Sequence, residues 1–205
     1  MTAVTELDAA IRTQIALLPL VFPYAISIAG PADSADILTL AADHGAGQPN
    51  VCDWAPVITG GTATIDQLRL TRIIVLLRDK TGSHTLRALV AYAPPEKVAD
   101  DAGVFPSYCW LTAIAATTTK TRATQLRYIW AINLPVHRAL LSLGYAKLVT
   151  VNFPLDARMK AFTDPMRTTA VLTVQEHRLD GTGNVTHASF VEDLAASLAK
   201  YEVMF

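Results

Sequence analysis

LRLTRIIVLLRDKTGSHTLRALVAYAPP, residues Leu68 to Pro95, is the stretch on which the fold turns. Residues 69–77 are rich in Ile, Val and Leu, and residues 86–92 in Leu, Ala and Val. Arg78-Asp79-Lys80-Thr81-Gly82-Ser83 between them is polar and carries one glycine. Two apolar runs of β type joined by a short Gly-bearing loop predict an antiparallel hairpin. Pro94-Pro95 closes it, because proline has no N–H to give to a ladder. A sheet is therefore expected at the middle of the chain.

Upstream, Thr5 to Leu18 has helical spacing at Ala9, Ile11, Ile15 and Leu18, with Thr5 and Asp8 placed like a capping box. Val21 to Ala29 reads as a strand stopped by Gly30-Pro31. Asp33 to Asp43 fits a helix or a strand, and the turn-rich His44 to Thr64 reads as a long loop. Downstream, Glu96 to Gly103 reads as polar helical turns and Ser107 to Ala115 as a strand. Leu126 to Ile132 (LRYIWAI) reads as another strand, and Pro135 to Leu143 as a short helix. Lys147 to Phe153 and Thr168 to Glu176 are two more strands, and Ala188 to Tyr201 has helical spacing. Roughly seven short strands punctuated by Gly and Pro favour a sandwich. The expected fold is mainly β: a single antiparallel jelly-roll sandwich with short helices. It divides into an N-terminal helical arm, residues 1–20, and a shell domain, residues 21–205.

The chain has 205 residues, enough for one domain. Only 17% of them are charged, where about a quarter is usual, and mean hydropathy is +0.30. Something other than water is expected to cover part of the surface. The apolar runs near Ile15 to Ala29 and Ile73 to Leu77 are broken well short of the ~20 residues of a membrane span. Glu6 and Asp8 do not suit a signal peptide. Burial between many copies of the chain is the better expectation. Net charge is −1 with no polybasic arm. Cys52 and Cys109 are read as small buried residues in a reducing compartment. No nucleophile elbow, Walker loop or zinc motif is present. His44, His84, His137, His177 and His187 are scattered, which suits surface or interface histidines rather than metal ligands. Asp100-Asp101 reads as a solvated turn.

Two resemblances bear on function. Asn133 to Tyr145, NLPVHRALLSLGY, is similar to the end of the GNAT acetyltransferase fold, where an Asn closes a strand and the next helix ends in Gly-Phe. Tyr24 to His44 resembles that family's first strand and helix, and the hairpin its second and third strands. This resemblance implies acyl-CoA, its pyrophosphate held by a glycine-rich loop that opens a long helix after the fourth strand. The equivalent stretch here, Thr112 to Gln125 (TAIAATTTKTRATQ), has no glycine and is short for both loop and helix.

The second resemblance is to jelly-roll coat proteins of icosahedral viruses, nearest the tymovirus-like group. Leu89 to Ala113 looks like that group's strand, Pro-rich connection and strand. Val149 to Val174 resembles a later stretch with a turn, here Thr163-Asp164-Pro165. Low charge and the missing catalytic motif favour this second reading. It implies a non-enzymatic RNA-virus capsid subunit that needs no cofactor, metal or membrane, self-assembles in the host cytoplasm and resides in the virion. Lys120, Arg122, Arg127, Arg158, Lys160 and Arg167 are then the expected weak contacts to genomic RNA. The degenerate acyltransferase or acyl-CoA-binding module is the alternative.

Overall fold

A computed structural model describes residues 3–44, 54–115, 122–155, 157–169 and 171–205. Its elements run α1 (Ala3–Ala16), β1 (Tyr24–Ile28), α2 (Ser34–His44), α3 (Trp54–Thr71), β2 (Ile73–Asp79), β3 (Leu86–Asp100), β4 (Gly103–Ala115), α4 (Arg122–Ser142), β5 (Lys147–Pro154), α5 (Ala157–Thr168), β6 (Leu172–Leu179), β7 (Val185–Asp193) and α6 (Leu194–Glu202). The strands form one seven-stranded sheet in the order β1-β2-β3-β4-β5-β7-β6. Every described pairing is antiparallel except β4 with β5, which is parallel.

The central hairpin is present: β2 and β3 pair from Ile73↔Tyr92 to Arg78↔Leu86. Residues 73–77 are all buried, because helices cover both faces of the sheet. Alternate residues go to opposite sides. Ile73, Val75, Leu77, Val90 and Tyr92 pack with Leu7 and Ile11 of α1, with α4, and with Leu194 and Tyr201 of α6. Ile74, Leu76, Leu89 and Ala91 pack with Ile37, Leu40 and Ala41 of α2 and Ile65 of α3. Arg78 pins the start of α2 to β2 through Asp33 (2.9 Å) and Asp36 (2.7 Å).

The jelly-roll expectation is overturned. A sandwich needs two sheets face to face, whereas here each face of a single sheet meets helices. Leu126 to Ile132, read as a strand, lies inside α4 with Pro135 in the same helix. The Thr163-Asp164-Pro165 turn of the coat resemblance lies inside α5. Glu96 to Gly103 is not helical; β3 carries on past Pro94-Pro95 to Asp100. The prolines fall in a register shift between Ala93 and Glu96, so the ladder is interrupted without ending. The long loop expected over His44 to Thr64 is a helix from Trp54 onward, broken at Gly61 (φ +65°). Ala188 to Tyr201 is half strand and half helix, joined without a loop by Asp193, whose carboxylate caps α6 at Ala196 N (2.8 Å). Of the expected arm, α1 is helical, but Leu7 and Ile11 are fully buried in the chain's own core. Among the described residues no helix is long and apolar enough to cross a membrane.

Candidate functional site

A wedge between β4 and β5 is the candidate site. Their parallel ladder has two rungs, Cys109↔Val149 and Trp110↔Thr150. Beyond it β4 stays with β3 as far as Ala115, while β5 stays with β7 as far as Pro154. No β4–β5 pairing is described past Trp110 and Thr150 although both outer ladders continue, so the facing edges separate toward Ala115 and Pro154. Thr150 stands at the parting point. Its hydroxyl accepts from Phe190 N (2.9 Å) and donates to Phe190 O (3.3 Å). The β5–β7 register then shifts between Thr150 and Phe153. A side chain thus replaces ladder bonds where the backbone turns aside.

α4 begins at Arg122, seven positions after β4 ends at Ala115, so the helix N-terminus is tethered to the wide end of the wedge. That terminus presents backbone N–H groups and the positive end of the helix dipole. The parted edges of β4 and β5 offer backbone donors and acceptors to an extended ligand.

At the narrow end, on the face away from α4, Ala93, Cys109, Val149 and Val191 form a small apolar cluster with Val98 and Phe105. The tip of the β3–β4 hairpin is drawn toward β5 by an ion pair between Lys147 and Asp100, and the Lys147 ammonium lies 4.6 Å from the Phe105 ring centroid. Asp100, read as part of a solvated turn, also caps that turn at Ala102 N (2.8 Å). Burial pushes the Cys109 thiol up to about 11, and the Glu96 carboxylate 3.7 Å away pushes the same way. Cys109 stays a thiol at neutral pH and is no nucleophile.

On the α4 face the narrow end carries a buried polar cluster. Tyr92 lies opposite Trp110, and Glu192 opposite Leu148. Tyr92 donates to Asn133 Oδ1 (2.7 Å), Tyr201 donates to Glu192 Oε1 (3.1 Å), and His137 Nε2 stands 3.9 Å from Glu192 Oε2. Burial raises Glu192 to about 7 and lowers His137 to about 3. Both tyrosines are raised well above their ordinary value for the same reason.

None of these polar residues was singled out by sequence reasoning in its true role. Asn133, expected to end a strand, is buried inside α4, and His137, expected at a surface or interface, has no exposed area. A histidine and an asparagine four apart in a run of apolar residues are the only sequence signal, and it is weak. Of the six cations expected at a nucleic-acid face, the five described lie on two helices, α4 and α5. Arg122 opens α4, and Arg127 further along it is spent on the C-terminus, over the Phe205 ring (5.3 Å) and against Met204 O (3.5 Å). Arg158, Lys160 and Arg167 are on α5, the last two exposed. Lys120 lies outside the described residues, as does Cys52. Among the described residues no group of three His, Cys, Asp or Glu side chains is gathered for a metal.

No protein-family model matches the chain, and no curated protein sequence matches it. Solved structures do. The ribosomal-protein-S18-alanine N-acetyltransferase of Escherichia coli is 10% identical, with a TM-score of 0.53 over 83% of this chain and 94% of its own. A Salmonella typhimurium protein described as an acetyltransferase and solved with its cofactor acetyl-CoA is 10% identical, with a TM-score of 0.54 over 84% and 94%. A spermidine N-acetyltransferase variant of Vibrio cholerae is 10% identical, with a TM-score of 0.54 over 86% and 96%. The chain has the GNAT acetyltransferase fold. The coat-protein resemblance, and with it the capsid role, the virion location and the expectation of a non-enzyme, is corrected by this finding: the neighbours are bacterial acetyltransferases.

Proposed function

We propose that this protein is an acyl-CoA-dependent acyltransferase whose cofactor arm lies in the β4–β5 wedge, with its pyrophosphate at the N-terminus of α4. The two-rung ladder carries this reading. It leaves the strand edges of residues 111–115 and 151–154 without each other as partners, and the amide-bearing arm of a coenzyme A thioester suits such edges. Bound there, the cofactor supplies an acyl group activated as a thioester. The chain's part is to hold the arm extended, to keep the thioester at the narrow end beside Cys109 and Trp110, and to neutralise the phosphates.

Glycine is missing from Ala116-Thr117-Thr118-Thr119-Lys120-Thr121, so close backbone approach is not the main source of phosphate affinity. Arg122, the first residue of a 21-residue helix, and Lys120, two positions before it in the sequence, take that role. The acceptor is an amine, the class named for the S18-alanine and spermidine enzymes.

Titration calorimetry with acetyl-CoA tests the reading. Saturable micromolar binding is expected, about tenfold weaker in the K120A/R122A double variant and weaker with added salt. No heat at millimolar ligand overturns it. The second reading is a binding module without turnover. It is favoured by Cys109 being a buried thiol and by the burial of His137 and Glu192 at the narrow end. Binding without transfer to any amine tried would select it.

A further inference from the structure

We propose that Glu192 and His137 share a single proton across the contact between β7 and α4, forming a pH-sensitive clasp that holds α6 closed on the core. This is independent of the acyl-CoA reading. Glu192 is 1% exposed and His137 is fully buried, with their nearest polar atoms 3.9 Å apart. That is too long for a hydrogen bond but needs only a small side-chain shift to become one. Among the described residues neither ring nitrogen of His137 has a hydrogen-bond partner, so Glu192 is the group placed to exchange a proton with it.

Tyr201 of α6 ties the pair to the cap. Its ring lies 5.1 Å from the His137 ring, centroid to centroid, and its hydroxyl donates to Glu192. Ser197, fully buried one turn earlier on α6, adds a hydroxyl near Glu192 that makes no hydrogen bond among the described residues. From β3, Tyr92 faces the cluster through Asn133, which stands one turn before His137 on α4. Asp193, next to Glu192 on β7, disfavours its ionisation. Arg138, next to His137, turns outward to pair with Glu202 (2.7 Å). No full positive charge among these groups is placed to compensate a buried Glu192 carboxylate except the His137 imidazolium.

The pair is neutral with one proton, whichever partner holds it. A second proton leaves a buried imidazolium beside a neutral acid, and removing the proton leaves a lone buried carboxylate. Both are costly in the core. Folded, the pair keeps one proton between about pH 3 and about pH 7. With α6 open and both groups in water, the ordinary values of 4.5 and 6.5 return. Between pH 4.5 and 6.5 the open pair also binds one proton, so opening does not depend on pH. Below 4.5 the open pair binds two, and acid favours opening tenfold per pH unit until about pH 3. Above 6.5 the open pair binds none, and alkali favours opening until the closed pair too is deprotonated.

Hydrogen exchange of the α6 amides, residues 196–202, corrected for the intrinsic rate, tests this in the full chain. In the native protein the opening constant should be flat from pH 4.5 to 6.5 and rise about tenfold per unit below 4.5. Glu192→Gln leaves the histidine alone, so the acid limb should begin near pH 6.5. His137→Asn leaves the acid alone, so opening should instead grow as pH rises from 4.5 toward 7. One pH profile common to all three proteins, or a native α6 that exchanges independently of pH from 3 to 7, overturns the clasp. If either variant fails to fold, NMR titration of the His137 ring and the Glu192 carboxyl in the native protein decides. A ring transition near pH 6.5 beside a Glu192 carboxyl already ionised by pH 5 overturns the proposal; ring and carboxyl changing together near pH 7, with no further ring protonation down to pH 4.5, supports it.

Discussion

Thr150 shows how much of this site rests on single side chains. Its hydroxyl makes two hydrogen bonds with the backbone of Phe190 where β5 leaves β4, and both groups are buried. Thr150→Val keeps the shape and strands a buried N–H. We expect a loss of about 1–3 kcal/mol in denaturant unfolding, together with weaker acetyl-CoA binding if the wedge spreads. Cys109 gives a second expectation. A thiol held near 11 is about 0.1% ionised at pH 8, against about 10% for one at 9.0. Site-resolved mass spectrometry should find native Cys109 alkylated at least about a hundredfold more slowly than in the unfolded chain. Comparable rates would mean that the apolar cluster at the narrow end is open.

α4 is the element that joins the parts. It starts at the wide end of the wedge and carries Asn133 and His137 at the narrow end. It ends in a Schellman cap: Tyr145 N donates to Leu140 O and Gly144 N to Leu141 O, both at 3.0 Å. Gly144 has φ +87°, so a side chain there is strained although space is open. Gly144→Ala should cost about 1 kcal/mol in chemical unfolding, and no change would mean that the cap relaxes. Gly144-Tyr145 stands in the sequence as the Gly-aromatic helix end of the acetyltransferase resemblance. That is sound, but the helix concerned is the long one before β5. Its middle looks like strand in the sequence because it is buried almost all round: Tyr128, Ile129, residues 131–134, Val136, His137, Ala139 and Leu140. A helical stretch buried on nearly every side has no 3.6-residue pattern to read, and β-branched and aromatic residues then look like strand.

At the scale of the whole molecule, ligand binding should show as stability. Acetyl-CoA at a hundred times its dissociation constant adds about 2.7 kcal/mol to folding, and a chain of this size should melt roughly 5–10 °C higher. An unchanged melting temperature at millimolar acetyl-CoA would oppose the proposed function. The sheet itself is legible in pieces: β2, β4, β5 and the first half of β3 lie close to where the sequence puts them. Their arrangement is not. Apolar runs predict strands, but runs buried between two helical layers look the same as runs buried between two sheets. The error from that ambiguity was a sandwich in place of a single helix-covered sheet.

What the sequence by itself determined is local. The β2–β3 hairpin, the N-terminal helix and the strand at residues 147–153 follow from turn chemistry, apolar spacing and β-branched runs, which act over a few neighbouring residues. Tertiary structure alone decided that β5 lies parallel to β4 for two rungs and then leaves with β7. It also decided that Glu192 meets His137, 55 positions earlier (192 − 137), in the core. Both depend on pairings between distant segments, and no periodicity along the chain encodes which strand edge will find which partner.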